Sequence, residues 1–406
     1  MTTKLDNKNI TLVTSILAYF SNSFIVNLPY VLGDTLYTDL QILPDKILFF
    51  NTLVLVIQSL GILTGALVFS FWADVKGRLF ILFTSIFIYS LGTFLGGFVT
   101  NINTFLVLKF IVGFGLAPEL GIGIVLISEI FPRSKNSLFV ALIAIFGFSA
   151  VLILSISSKY FDWRNIYFVA GLGGLLIMLA RFATFESDIF LKIKKDNDGL
   201  SSILNTLKSR KFYLLLFGLL PIYVITAGST FLTSEIYQTY QVSVKKDSLA
   251  ICFVLGAISG FILIPILTNY FKSRRLIFKI CFFSLLLISV FTSFNGFLGE
   301  KGLNSVPYFY IIVVLYGLSS GYLFEFLIFA IEQFGTNKRG SATTLLFSLA
   351  RSSVFLFTIL IPNLNIYLFK NFLNTLLFIE SIVFVFAIWA IFKLDETFNK
   401  DLNFID

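Results

Sequence analysis

The chain has 406 residues, 57% of them hydrophobic and 13% charged, with a mean hydropathy of +0.93; soluble domains carry roughly 25% charge, so the composition excludes one and indicates a polytopic membrane protein. It has no His and only two Cys, which excludes a His-ligated metal centre and leaves proton chemistry near neutral pH to carboxylates. The net charge of +8 lies in loops between apolar runs, which argues against a nucleic-acid partner.

Met1–Asn9 is short and polar, and Ile10–Gly33 is apolar. No small-residue cleavage site follows, so the segment reads as a retained first helix rather than a signal peptide. Within it Tyr19, Ser23, Asn27 and Tyr30 recur at helical spacing on one polar face. Windows of about 20 apolar residues continue through Lys46–Phe71, Leu79–Val99, Asn103–Ile130, Ser137–Tyr160 and Arg164–Thr184. Gln58 lies inside the second. A charged hinge, SFWADVKGRLFIL over Ser70–Leu82, joins the second to the third. Asp74 suits a helix N-terminus. Gly77 suits a close approach or a backbone angle that other residues avoid. Arg78 suits the polar interface. An ordinary loop carries D-x-x-G-R as well. A charge at the bilayer centre costs roughly 2.5–3.5 kcal/mol on insertion scales, so each charge inside a window is a site candidate. The fourth window holds Lys109 and, mid-helix, Glu119, flanked by Pro118, Gly121 and Gly123, which permit a kink. Glu119 is either a proton-exchanging carboxyl or a structural one bonded to a neighbouring helix. Lys109 lies ~15 Å from it along the helix and is not its direct partner there.

A polar, Lys-rich stretch, Glu186–Lys211, divides the chain into residues 1–185, a central loop 186–211 and residues 212–406. Six more windows follow: Phe212–Tyr240, Ser248–Phe271, Leu276–Gly299, Pro307–Ile331, Ser341–Leu364 and Phe372–Lys393. Tyr223, Thr226 and Thr230 share a face of the seventh helix. Cys252 and Cys281 read as small core residues. Tyr322 and Glu325 lie in the tenth helix, Arg351 in the eleventh and Glu380 in the twelfth. Glu325 and Arg351 pair with each other, or Arg351 holds a substrate carboxylate bidentately. Glu380 reads as structural. Each of the uncharged polar residues serves equally well in an interhelical hydrogen bond. Lys and Arg divide about three to one between the two sets of loops. That bias puts both termini and the central loop in the cytoplasm, and the chain in the cell's inner membrane as a multi-pass protein.

The two halves repeat. Glu129-Ile-Phe-Pro-Arg-Ser-Lys-Asn-Ser ends the fourth helix and Glu332-Gln-Phe-Gly-Thr-Asn-Lys-Arg-Gly ends the tenth, half a chain length later. Asn269-Tyr-Phe-Lys-Ser-Arg-Arg-Leu after the eighth helix is a degraded counterpart of the Asp74 hinge. The hinge resembles the loop signature G-x-x-x-D-x-x-G-R-[RK] of the major facilitator superfamily, with Ser70 for the first Gly and Leu79 for the second basic residue. Ser128-Glu129-Ile-Phe-Pro-Arg-Ser-Lys resembles that family's E-x-x-P-x-x-x-R-G element. Asp162-Trp163-Arg164 resembles its W-R pair, and Phe185-Glu186-Ser187 the E-S of its sugar and metabolite:proton symporters. Lys109 stands where many relatives carry an Arg, and the Gly-rich exporter signature is not evident in Ser137–Tyr160.

The resemblance covers essentially the whole chain. It implies an all-α membrane protein with twelve transmembrane helices in two six-helix pseudo-symmetric halves, rocking about a central site. Helices 1, 4, 7 and 10 line the cavity in that fold. The implied substrate residues are Tyr19, Ser23, Asn27, Tyr30, Gln58, Tyr223, Thr226, Tyr322 and Arg351, with Glu119 and Glu325 for proton coupling. The implied cytoplasmic gate is Asp74, Gly77, Arg78, Glu129, Arg133, Glu332 and Arg339, with Asp74 against the start of helix 11 near Gly340–Thr343. The reading is a secondary active transporter of a small polar metabolite, of amino-acid or organic-acid type, coupled to protons. With no nucleotide-binding loop and no catalytic constellation, an enzyme is not indicated. Its partners are a small-molecule substrate, protons and the lipid bilayer; it acts as a monomer and needs no cofactor or metal. One alternative is an exporter of the same fold, for drugs or a carboxylate siderophore. The other is a membrane receptor or scaffold that transports nothing.

Overall fold

A computed structural model describes residues 2–184, 199–240, 245–298, 306–369, 371–398 and 400. Residues 185–198, with the Phe185-Glu186-Ser187 motif and the first half of the central loop, and the side chains of Arg133 and Thr230, lie outside the described residues. Twelve helices are long and apolar enough to cross a membrane. In lipid every backbone group must be satisfied within the segment, and the helix does that. They are α1 (Thr2–Val31), α2 (Ile47–Ala73), α3 (Arg78–Gly96), α4 (Ile102–Ile130), α5 (Arg133–Ser157) and α6 (Trp163–Ala180), then α7 (Arg210–Tyr240), α8 (Lys246–Phe271), α9 (Arg274–Leu298), α10 (Val306–Glu332), α11 (Arg339–Leu364) and α12 (Phe372–Lys393). The last has the bounds read from the sequence. Side-chain caps explain several starts. Asn101 accepts from the Thr104 N–H at 2.9 Å, Asp162 from Arg164 at 3.0 Å and Asn371 from Asn374 at 3.2 Å.

Two helices are interrupted in corresponding places. α4 breaks at Ala117–Pro118 into Ile102–Leu116 and Glu119–Ile130. Pro118 has no N–H to donate, and its ring opposes the preceding turn. α10 breaks at Gly321 into Val306–Ser320 and Tyr322–Glu332. Each broken helix lies backbone to backbone on a neighbour carrying two glycines four residues apart. A Cβ on Gly61 or Gly65 of α2 would meet the carbonyl oxygen of Phe110 or Phe114 at 2.2 Å, and one on Gly256 of α8 would meet that of Val314 at 2.2 Å. Gly260 completes the second pair. Close packing of small residues is a usual basis of helix association in lipid. It seats the two broken helices, which carry Glu119 and Glu325.

The chain divides into two compact units. The first comprises Met1–Ser209, Ala330–Ser352 and Asn399–Asp406; the second comprises Arg210–Phe329 and Ser353–Phe398. In the first, α2 packs on α4, α3 on α6 and α1 on α5, around a core that includes Ile25, Leu28, Ile86, Val112 and Tyr167. The short helix Gly199–Lys208 lies on α2. In the second unit, α8 packs on α10, and α12 on α7 and α9. The segment at the end of α10 and the start of α11 thus groups with the N-terminal helices, and several of the site residues depend on that placement.

Candidate functional site

The Asp74 hinge is the centre of a buried charged cluster in the first unit. Gly77 has φ 105°, which a residue with a Cβ adopts only under strain, and it turns the chain from α2 into α3. Asp74 and Arg78 are both fully buried. The Asp74 carboxylate accepts from the Gly340 N–H at 3.1 Å and the Ser341 N–H at 2.9 Å, at the open N-terminus of α11. Two orphan donors and the positive end of the helix are thereby satisfied together. Arg78 donates to the Ala73 carbonyl at 3.2 Å and the Thr336 carbonyl at 3.4 Å, and lies 3.4 Å from Asp74 and Glu129. Arg339 donates to the same Glu129 Oε1 at 3.2 Å and to the Ile331 carbonyl at 3.4 Å. Two carboxylates and two guanidiniums thus meet in a buried site. Charge-assisted bonds there are worth about 1.5–3 kcal/mol each. Glu332 is buried nearby in the sequence, at the end of α10.

A second cluster forms at the break in α4. Interrupting the helix opens the carbonyls of its last turn, and three helices supply donors to three of them. Ser85 Oγ of α3 donates to Gly115 at 2.7 Å, Asn22 Nδ2 of α1 to Leu116 at 3.3 Å and Ser348 Oγ of α11 to Ala117 at 3.0 Å. Asn22 Oδ1 in turn accepts from Arg351 Nη1 at 3.2 Å. Among the described residues no carboxylate lies within ion-pair distance of Arg351. Arg351 is half-buried and its hydrogen-bond partner is this neutral amide. Just past the break, Glu119 is held by Arg181, Nη2 to Oε1 at 2.6 Å and Nη1 to Oε2 at 3.5 Å, with both residues 2% exposed. Glu119, Ser15, Tyr19 and Gly123 line a small cavity, about the size of one water molecule.

The residues singled out in the sequence are distributed as follows. Tyr19 and Glu119 meet at this cavity. Ser23 and Asn27 are engaged on their own helix, where Asn27 Nδ2 donates to the Ser23 carbonyl at 2.7 Å. Tyr30 is half-buried and Gln58 is buried, with no hydrogen-bond partner for Gln58 Oε1 among the described residues. Tyr223, Thr226 and Tyr322 belong to the second unit. There Thr226 bonds the Ile222 carbonyl at 2.8 Å and Tyr322 the Gly218 carbonyl at 3.1 Å. Glu325 is not brought to Arg351; its ion-pair partner is Arg274 at the start of α9. Lys109 is buried with its ammonium over the rings of Tyr167, at 4.8 Å, and Phe105, at 5.2 Å. Arg181, Asn22 and Ser348 escaped the sequence reading. Arg181 stood where a basic residue ends a helix at the interface, and nothing local points it toward Glu119.

The second unit has its own charged clasp. Glu396, just beyond α12, accepts from Ser273 Oγ at 2.6 Å and from the N–H groups of Arg274 and Arg275 at 3.2 and 3.1 Å, capping α9. Arg275 returns the bond, donating to the carbonyls of Ile391 at 3.2 Å and Phe392 at 3.0 Å at the end of α12. Burial alone would raise the Glu396 pKa, but the hydrogen bonds from Ser273 and from the Phe398, Arg275 and Arg274 N–H groups hold it below the ordinary carboxylate value. Among the described residues no cluster of His, Cys, Asp and Glu is suited to a metal ion.

The profile of the Major Facilitator Superfamily matches residues 10–359. The chain is 30% identical over 297 residues to the sialic acid transporter NanX of Escherichia coli (strain K12), covering 63% of this chain and 69% of that protein. It is 27% identical over 135 residues to the putative niacin/nicotinamide transporter NiaP of Bacillus subtilis (strain 168), covering 32% of this chain and 34% of that one. Its fold is similar to that of the proton:xylose symporter XylE, with a TM-score of 0.79 over 98% of both chains at 12% identity.

Proposed function

The chain belongs to the major facilitator superfamily and is a multi-pass membrane transporter rather than an enzyme, and on that premise we propose that it carries a small metabolite bearing a carboxylate, together with a proton, by alternating access across the cell's inner membrane. The observation that carries this reading is Arg351. Its guanidinium holds a neutral amide, Asn22, and no carboxylate of the described residues is within ion-pair reach. A planar fork in that setting suits bidentate binding of an anionic group. Of the ligands named for the two relatives, sialic acid and niacin are carboxylic acids and nicotinamide is a neutral amide, which makes the acid–amide pair the discriminating probe. The further substrate residues are Tyr19, Ser23, Asn27, Tyr30 and Gln58 of the first unit and Tyr223, Thr226 and Tyr322 of the second.

Glu119 is the coupling carboxyl and Glu325 a second. With Glu119 ionised, Arg181 is neutralised; a proton on Glu119 releases the guanidinium and leaves an unbalanced buried charge, which favours the other conformation. The Asp74 cluster of Gly77, Arg78, Glu129 and Arg339 is the cytoplasmic gate, formed in one state and lost in the other, with Arg133 and Glu332 as the further gate residues that the family resemblance implies. Moving a two-state equilibrium from 1:99 to 99:1 takes about 5.5 kcal/mol, which a few charge-assisted bonds supply. Both termini are cytoplasmic and the working unit is the monomer.

The test is a thermal-shift and binding panel on the purified protein, with sialic acid, nicotinate and nicotinamide. The acids should stabilise the wild type and the amide should not. Arg351→Lys should bind the acids about tenfold or more weakly, a loss of about 1.4 kcal/mol or more. Nicotinamide binding as well as nicotinate, or an Arg351→Lys protein with unchanged acid affinity, would refute the assignment.

A further inference from the structure

The second unit contains a buried carboxyl with a different environment. Glu380, in the middle of α12, is 2% exposed. Its Oε2 is hydrogen-bonded to Ser289 Oγ of α9 and, at 3.3 Å, to Tyr316 OH of α10. Ser289 Oγ and Tyr316 OH are themselves 2.9 Å apart. Two neighbouring helices thus aim hydroxyls at one carboxyl oxygen. Among the described residues no Lys or Arg lies within ion-pair distance of Glu380.

The charges on the helices packed around α12 are engaged elsewhere. On α9, Arg274 pairs with Glu325, Arg275 bonds the carbonyls of Ile391 and Phe392, and the Lys279 ammonium lies 4.0 Å over the Phe392 ring. At the start of α7, Lys211 is 4.0 Å from Asp395. Those contacts to α12 and its tail fall at residues 391–395, ~16 Å or more along the helix from Glu380. The titratable group that α10 presents to Glu380 is Tyr316, and α9 presents the Ser289 hydroxyl, while the Thr292 hydroxyl faces Tyr316. Tyr213 of α7 is 46% exposed, and Tyr223 neighbours Tyr322.

An ionised carboxylate buried without a cation is strongly disfavoured, whereas a carboxylic acid among hydroxyls both donates and accepts. We propose that Glu380 is a proton-binding site, loaded in this state, whose proton exchanges through the hydroxyls of Ser289 and Tyr316. Loading turns a carboxylate and a hydronium ion into a carboxylic acid and water, and release reverses it. A separate hydroxyl pair lies elsewhere on the α9–α10 contact, where Ser284 Oγ donates to Ser319 Oγ at 2.9 Å. The contrast with Glu119 is chemical: one buried acid faces a guanidinium, the other only hydroxyls. The site stands whether or not Glu119 is the coupling group.

Infrared difference spectroscopy of the purified full-length protein between acidic and alkaline buffers, repeated in D₂O, tests this. The wild type should show a protonated-carboxyl C=O band that persists above the pH at which exposed carboxylates ionise, titrates at higher pH and shifts in D₂O. The band should vanish in Glu380→Gln and survive in Glu119→Gln. An unchanged band in Glu380→Gln overturns the proposal, and so does a band that neither titrates nor shifts in D₂O, which marks a sealed acid. If Glu380→Gln fails to fold, Ser289→Ala and Tyr316→Phe each remove one partner from the same oxygen. Each should then move the band, and a band unmoved in both overturns the proposal.

Discussion

The hinge between α2 and α3 and its counterpart between α8 and α9 solve one problem in opposite directions. Each is a tight, basic turn that opens a helix. In the first, the hinge supplies the anion: Asp74 reaches out and caps α11. In the second, Tyr270 and Phe271 precede the turn, Tyr270 is 79% exposed, and the turn passes through Lys272 at φ 50°. That hinge supplies no anion and receives one, from Glu396 beyond α12. The buried arginines differ as well. Arg78 shares Glu129 with Arg339 at the end of α4, whereas Arg274 pairs with Glu325, about two turns from the end of α10. A repeat that is weak in sequence therefore keeps its helices and glycine contacts but reassigns its charges. One hinge can report on the segment Ala330–Ser352, and the other ties α9 to the chain's tail.

Breaking the first hinge should have the largest effect. Asp74→Ala removes two helix-capping bonds and strands Arg78 beside fewer anions. Losing one partner of a buried pair costs about 3–5 kcal/mol, so the melting temperature of the purified protein should fall clearly. Asp74→Asn should fall less, because the amide oxygen still accepts from one of the two N–H groups that the carboxylate oxygens share between them, Gly340 or Ser341. An Asp74→Ala protein that melts with the wild type would show that the cluster contributes nothing.

Breaking the second hinge should be milder and pH-dependent. Glu396→Gln weakens an N-cap, worth about 1 kcal/mol. The Glu396 pKa is lowered in the folded protein, so its contribution is full above the unfolded value of about 4.3 and is lost as pH falls through the folded value below it. The variant should be less stable than wild type at neutral pH and converge with it in acid. A difference that stays constant down to strongly acidic pH would rule out the charged cap.

The smallest effect is expected at Lys76, inside the first hinge but outside its ion network. Its ammonium lies 4.4 Å from the Trp72 ring and 4.7 Å from that of Phe80. Exposed cation–π contacts contribute about 0.5–1 kcal/mol. Lys76→Ala should therefore shift the melting temperature much less than Asp74→Ala, and a comparable loss would mean that the hinge's net charge matters more than its geometry.

What the sequence reveals follows from how local each cause is. Length and apolarity are local, so the windows find the twelve helices, and α12 with its bounds. The contact of Asp74 with the start of α11 is legible only through the family resemblance, because a carboxylate alone suits any open helix N-terminus. Pro118 marks the break in α4, but Gly321 does not announce the one in α10, because a glycine in a membrane helix more often serves packing. The ionic partners are the least legible. Glu119 and Arg181 are brought together by tertiary packing alone, and the pairing of Glu325 with Arg351, reasonable from depth, loses to Arg274. Glu396 lies in a polar tail without any pattern that points to α9.

The most direct test of the account is uptake into proteoliposomes under an imposed pH gradient, with labelled sialic acid or nicotinate and Glu119→Gln beside wild type, normalised to folded protein. The wild type should accumulate the acid, and a protonophore should abolish accumulation. Glu119→Gln, whose amide mimics the protonated acid, should exchange substrate across the membrane without concentrating it. Proton-driven accumulation by Glu119→Gln at the wild-type level would contradict the account.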